Sequence, residues 1–379
     1  MSPTRSLWGT APWDRTRISS QSSVVPRATG AAIVGGRFTG CSTAYHLARS
    51  GVRCVVLEAG AIGDGASGRT GGLVLEGTAV GVLDGVESCI PYLESLVETE
   101  HIDCDLRTPG CWEIEHRGSS SSRMLPWLDG GAPVAIRRAI AGGTAEPAKL
   151  AAGLADAALR AGATICDHAR VREIRIGDTI EVVTERGDVR PNWVVVAANA
   201  WIDSLVRGIG NDLRSSLTFA CATAPLADRM IDAIGLGERI PFYTTDLPYL
   251  WGRVTADNRA IFGAGLLFGA PDDLEDTGVG QNDFDRILID LRTRVRKLHP
   301  ELANVEIDHS WAGPIAFTRD AVPILAPHPQ CSRVIIAGAY AGHGVALSVR
   351  AGAIIAASIV SGDALPDWGN PARAGRLKA

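Results

Sequence analysis

The first apolar cluster is residues 31–34, a run without polar interruption that predicts a strand buried on both faces. A glycine-rich turn follows. Ala44, Leu47 and Ala48 then recur at helical spacing until Gly51 stops the helix. Residues 54–57 repeat the buried-strand pattern and end at Glu58, which completes a βαβ opening. Further on, residues 82–98 read as a helix that Pro91 kinks or divides. Residues 148–161 read as an amphipathic helix, 171–176 with 179–184 as a hairpin, and 193–198 as another buried strand. Between 111 and 147 the pattern is irregular, with the serine run 119–122 as an exposed turn. Residues 215–267 alternate short strands and turns and carry several aromatics, among them Tyr243, Tyr249 and Trp251. Residues 283–299 predict a helix, 334–338 a buried strand, and the Ala-rich stretch beyond a long helix. Arg350 interrupts that last apolar run, so it suits a buried helix better than a membrane span.

Composition narrows the class. The chain has 379 residues, 46% of them hydrophobic, enough for one large domain or two interlocked ones. A net charge of −5 gives no reason to expect nucleic acid as a partner. The 43 glycines imply many tight turns. None of the eight cysteines has CxxC spacing and no histidine cluster accompanies them, which argues against a zinc site or disulfide framework; no metal is expected. Residues 1–29 lack the apolar run of a secretory signal, so the cytoplasm is the expected location and no membrane partner is expected.

The turn after the first strand carries a dinucleotide fingerprint with one departure. Gly35 supplies the tight turn, Gly36 follows it, and Gly40 lets the helix lie close to the sheet. Glu58 stands where an acidic residue hydrogen-bonds a ribose. Arg37, followed by Phe38 and Thr39, takes the place of the middle glycine. That position favours glycine if its backbone is left-handed, and a side chain there can clash with phosphate. A guanidinium is also a good phosphate partner if it swings outward.

Five segments carry a resemblance: IVGGRFTGCSTAYHLARSG, GASGRTGG, WVVVAANAW, WAGPIAFTRDAVPIL and AGAYAGHGVALS. With them in this order, the chain resembles the D-amino-acid-oxidase-like superfamily of FAD-dependent oxidoreductases, and within it the gamma-glutamylputrescine oxidase branch. The resemblance implies an α/β (α+β) fold. A Rossmann-like FAD-binding domain would be assembled from residues 28–78, 145–205 and 307–365. A mainly antiparallel substrate domain from 79–144 and 206–306 would be inserted into it, with an N-terminal arm at 1–27 and a tail at 366–379.

It also implies FAD rather than NAD. The adenylate half would rest on Gly35, Gly36, Gly40 and Glu58, with the Val171 backbone at the adenine and Ala198 with Asn199 near the pyrophosphate; Trp201 would also contact the cofactor. The loop of Ala66, Ser67, Gly68, Arg69, Thr70 and Gly71 would approach the flavin. So would Gly313 and the turn from Gly338 through Gly342, His343, Gly344 and Val345. Phe317 stands near the position where some relatives carry a flavin-linking cysteine, so the FAD is expected to be non-covalent. No lysine lies in residues 215–267, where some relatives keep one that helps oxygen react. Dehydrogenation is therefore the firmer expectation, with O2 or another acceptor taking the electrons. Residues 115–143 look shorter than in fuller family members.

The implied reaction oxidises the C–N bond of a small amine or amino acid by hydride transfer to the flavin N5, giving an imine that hydrolyses. Arg69 and His343 are candidates beside the flavin. Arg69 reads equally as a structural arginine that bonds loop carbonyls, and His343 equally as a spacer in its turn. Tyr249, with Tyr243 and Trp251, would line an amine pocket or else form plain core, and Arg253 would hold a substrate carboxylate or else stand as a solvated strand residue. Asp320 reads as a structural cap. The competing reading is a family member with weakened flavin binding that acts as a binding or partner scaffold. The oligomeric state is left open.

Overall fold

The structure, a computed structural model, describes residues 6–13, 24–116, 123–206, 213–246 and 249–373. The apolar runs pair into a six-stranded sheet in the order Ile324–His328, Cys331–Gly338, Arg190–Val196, Ala28–Val34, Cys54–Leu57, Thr164–Cys166. All neighbours are parallel except the first pair, which is antiparallel. Ile33, Val55, Val56, Val194 and Val195 are completely buried, as continuous apolar strands in a covered parallel sheet must be.

Five helices longer than ten residues are described: α1 Phe38–Arg49, α2 Cys89–Thr99, α3 Pro147–Arg160, α4 Asn282–Leu298 and α5 Gly344–Ser361. α1 packs on α3 and α5. A Cβ on Gly352 of α5 would lie 2.6 Å from the Ser42 side chain of α1, and Ser42 Oγ donates to the Val349 carbonyl at 2.7 Å. α5 is long and apolar enough to cross a membrane by length and composition, yet half of it is buried in the molecule as a core helix.

A nine-stranded sheet forms the other layer. Its order is Gly9–Thr10, Ile307–Phe317, Arg214–Thr223, Ala260–Phe268, Trp251–Val254, Phe242–Thr244, Cys111–His116, Ala132–Ile140, Arg123–Asp129. Only the pairing of Phe242–Thr244 with Cys111–His116 is parallel. α4 covers one face, where Phe284, Leu288 and Leu291 pack with Phe219.

Several sequence expectations change here. Residues 111–140 are not irregular: they form three antiparallel strands, disguised by a bulge and by Pro126 and Pro133. The serine run 119–122 lies outside the described residues. The helix expected over 82–98 begins only at Cys89, so Pro91 sits in its first turn, where its missing N–H costs nothing. The Glu76 carboxylate accepts from Cys89 N at 2.6 Å and Ile90 N at 3.1 Å, a cap supplied from 13 residues upstream. Residues 307–317, expected among the nucleotide-binding segments, hydrogen-bond instead to Arg214–Thr223 in the nine-stranded sheet.

Candidate active site

A cleft of about 940 Å³ opens between the two sheets. The first turn of α1 lines one side with Arg37, Phe38 and Thr39; the first turn of α5 lines another with His343, Gly344 and Val345. Neither helix has an acidic residue in its first turn, so both present an unquenched partial positive charge. Thr39 Oγ1 and the Tyr340 hydroxyl join the two ends at 2.8 Å. Tyr340 lines the cleft and was not singled out from sequence.

The glycines act as their spacing predicts. Gly35 has φ +107°, and a Cβ on Gly40 would lie 1.9 Å from the Gly35 carbonyl oxygen. Only glycine allows helix and turn to approach that closely. Glu58 is buried at the end of its strand, accepting from Gly36 N at 2.7 Å and Gly60 N at 3.0 Å. A carboxylate has about four acceptor positions, so capacity for a ribose hydroxyl remains. Arg37 departs from expectation in one respect. Its φ of −112° and ψ of −169° are extended backbone that any residue adopts, so the position places no demand for glycine. Its guanidinium lies 5.4 Å from the Trp201 ring centroid and against Gly65, where a Cβ would come within 2.1 Å.

The flavin-side loop forms a short helical turn, Ala66–Arg69. Ala66, Ser67, Arg69, Thr70 and Gly71 line the cleft, and Ser67 Oγ accepts from Phe38 N at 3.2 Å. Gly68 lies behind this surface, where a Cβ would meet the Gly63 carbonyl at 2.0 Å. Arg69 is buried and bonds backbone carbonyls: Asp64 at 3.2 Å, Gly9 at 3.0 Å and Ala312 at 3.5 Å. That is the structural role weighed for it, played at the cleft wall.

Asn199, at φ +50°, lines the cleft and accepts from Ala339 N at 2.9 Å through Oδ1. Gly313 and Gly342 also line it, as does Ala197, which the sequence did not flag. Gly35, Gly36, Gly40, Glu58 and Val171 are outside this lining, as are Ala198, Trp201 and Gly338. The cleft thus covers the end of the site between α1 and α5. Asp320 is a cap, accepting from Val322 N at 3.1 Å and pairing with Arg373 at 3.0 Å.

The remaining wall comes from the nine-stranded sheet. Tyr243, Tyr249 and Trp251 reach the cleft, and Tyr249 is 56% exposed at its mouth. His343 stands edge-on to Tyr243, ring centroids 6.0 Å apart, with Nδ1 3.4 Å from the Ala341 carbonyl. Burial lowers the His343 pKa below its ordinary 6.5, so the ring is neutral at pH 7. Arg253 is not brought to the cleft. It is buried behind the loop, with Nε donating to the Gly71 carbonyl, and burial pushes its pKa down to about 10. It is therefore out of reach of a carboxylate in the cleft. Sequence reasoning missed Glu113, Arg137 and Arg138, which do line it. The alternation of residues 111–116 is the signal that would have exposed the first of them.

FAD fits these residues: a glycine turn with a close helix, an acidic residue after the second strand, and two helix N-termini free of carboxylates facing one cleft. The comparisons agree. The family model for FAD-dependent oxidoreductases (DAO) matches residues 31–358. Gamma-glutamylputrescine oxidoreductase of Escherichia coli is 29% identical, over 88% of this chain and 83% of that one. Glycine oxidase of Geobacillus kaustophilus is 25% identical, over 86% and 91%. The crystal structure of L-proline dehydrogenase from P. horikoshii shares the fold, with a TM-score of 0.74 and 19% identity over 93% of this chain and 99% of that one. The chain belongs to the DAO family of FAD-dependent oxidoreductases.

Proposed function

We propose that the chain oxidises the C–N bond of a small amine or amino acid to an imine, which water then hydrolyses. The observation that carries this reading is the meeting, in one cleft, of the FAD-type cradle with an aromatic wall of Tyr243, Tyr249 and Trp251. Bound FAD supplies the hydride acceptor. The protein's share is to bind, orient and deprotonate. The aromatic faces attract an ammonium on its way in. The reacting nitrogen must then lose its proton. The His343 contact with the Ala341 carbonyl requires hydrogen on Nδ1, which leaves Nε2 of a neutral ring as an acceptor at the head of α5. Tyr243 keeps its proton, because burial and the Glu113 carboxylate raise its pKa. The names of the relatives, an oxidoreductase of an acylated diamine and an oxidase of glycine, support an amine or amino acid as substrate. No observation favours the non-catalytic scaffold. The eight free cysteines suit a reducing compartment and support a cytoplasmic location.

The test is anaerobic mixing of FAD-loaded protein with a panel of amines and amino acids, following the visible flavin band. Bleaching, with aldehyde or keto acid released, is the expected result. A flavin that dithionite bleaches but no amine does would overturn the proposal.

A further inference from the structure

Behind the cleft wall lies a charge that the proposed reaction does not use. Trp251 and Arg253 stand two apart on strand Trp251–Val254 and so share a face of the nine-stranded sheet. Trp251 lines the cleft with its ring against Gly71, where a Cβ would come within 2.0 Å. Arg253 lies beneath the same loop, 5% exposed, and its Nε donates to the Gly71 carbonyl at 2.5 Å. Two tryptophans hold neighbouring carbonyls: Trp13 Nε1 donates to Gly68 at 2.8 Å and Trp311 Nε1 to Arg69 at 2.9 Å. The loop is thus pinned at three carbonyls, one of them by a charged group.

That charge is not matched by contact. Arg253 Nη2 is buried without a hydrogen-bond partner among the described residues. The Trp13 ring lies 5.8 Å from the guanidinium and covers it. The carboxylates that favour the charge, Glu146, Asp105 and Asp257, act from a distance. Each is engaged elsewhere. Glu146 accepts from Ala148 N at 3.0 Å and Lys149 N at 2.9 Å, Asp105 pairs with Lys149 at 2.9 Å, and Asp257 pairs with Arg259 at 2.9 Å. Burial still leaves the Arg253 pKa at about 10, so the group is charged at neutral pH. A charge taken out of water without an ionic partner is costly, and a ring with one carbonyl offsets only part of that cost. A negative charge arriving across the loop would offset more of it.

We propose that Arg253 is a positioning residue that raises the reduction potential of bound FAD, its charge acting across the Gly71 peptide to favour the anionic reduced ring. Two electrons and one proton convert oxidised FAD into a reduced form whose ring carries one negative charge. Gly71 lines the cleft, so a single peptide separates Arg253 from the bound cofactor's side of the wall. The dry surroundings extend the reach of the charge. The inference rests on the family's FAD and not on the choice of amine.

The test is the reduction potential of FAD on the holoprotein, poised with xanthine and xanthine oxidase against a reference dye, with no amine present. Arg253→Met should lower the potential, equivalent to about tenfold weaker binding of reduced relative to oxidised FAD. Arg253→Lys tests the charge itself, because a buried ammonium gives up its proton more readily than a guanidinium. Compared with wild type at each pH, its potential should stay close in acid and fall to that of Arg253→Met as pH rises. A mere anchor of the Gly71 carbonyl gives no such titration. Equal potentials in wild type and Arg253→Met overturn the proposal, as does an Arg253→Lys potential that follows Arg253→Met at every pH. If Arg253→Met holds no flavin, Trp13 decides. Trp13→Leu admits water to the guanidinium and should lower the potential, whereas Trp13→Phe keeps the ring and should not. A potential no lower in Trp13→Leu than in Trp13→Phe overturns the proposal.

Discussion

At residue 37 two properties of one side chain have to be weighed. The extended backbone removes any steric case for glycine, which leaves the guanidinium itself. It sits at the first turn of α1, stacked on Trp201, where it adds a full charge to the helix's partial one. An anion bound there gains from both. Arg37→Gly is therefore expected to weaken FAD binding by about tenfold, with a shallower salt dependence. Fluorescence titration of the apoprotein with FAD checks this; tighter binding in the variant would show the side chain to be an obstruction. The sequence exposed the substitution but not its consequence, because torsion and side-chain direction are set by the neighbours, Gly65 and Trp201. Arg69 and Arg253 teach the same lesson. Both are arginines near a glycine loop, yet one lines the cleft while the other is buried behind it.

At the scale of elements, a network ties two strands to α4. His116 Nε2 meets Asp129 Oδ2 at 2.8 Å, His116 Nδ1 meets Asp246 Oδ2 at 3.0 Å, and Arg294 of α4 donates to Asp129 Oδ1 through Nε at 2.8 Å. Burial alone would lower the His116 pKa, but the hydrogen bonds to Asp129 and Asp246 outweigh it and raise the value above 6.5. Burial alone would raise Asp129, but Arg294 and His116 outweigh it and hold the value below 3.8. The histidine's contribution is complete below pH 6.5 and is lost as pH rises through its raised folded value. The aspartate's contribution is complete above pH 3.8 and is lost as pH falls. Between those limits the network stabilises fully. Melting temperature should accordingly decline on the alkaline side of the histidine range, and His116→Gln should flatten that decline. Equal slopes in the two proteins would show the network to be inert. Residues 123–140 were illegible as strands because this sheet's order interleaves distant segments, and a bulge and two prolines hide the alternation there.

At the scale of the molecule, the cleft joins distant parts of the chain, with α1 bonded through Thr39 to Tyr340 in the turn before α5. A ligand that spans both helix ends binds the folded state alone, so FAD at about a hundred times its Kd should add about 2.7 kcal/mol to stability. Thermal denaturation of the apoprotein with increasing FAD measures this, and a melting temperature indifferent to FAD would contradict the site. The sequence by itself determined four of the five parallel strands (all but Thr164–Cys166), α1, α3 and α5, the glycine turn and Glu58, and through its ordered motifs the FAD-dependent family. These are local or periodic properties: a buried strand must be apolar throughout, and a helix pressed on a turn must carry glycine where they touch. Only the tertiary structure decided which charged groups share the cleft. Glu113, Arg138, Tyr243 and His343 lie up to 230 residues apart in number, and their meeting depends on strand order, on one bulge and on how the two sheets pack. None of these leaves a mark within a short window of sequence.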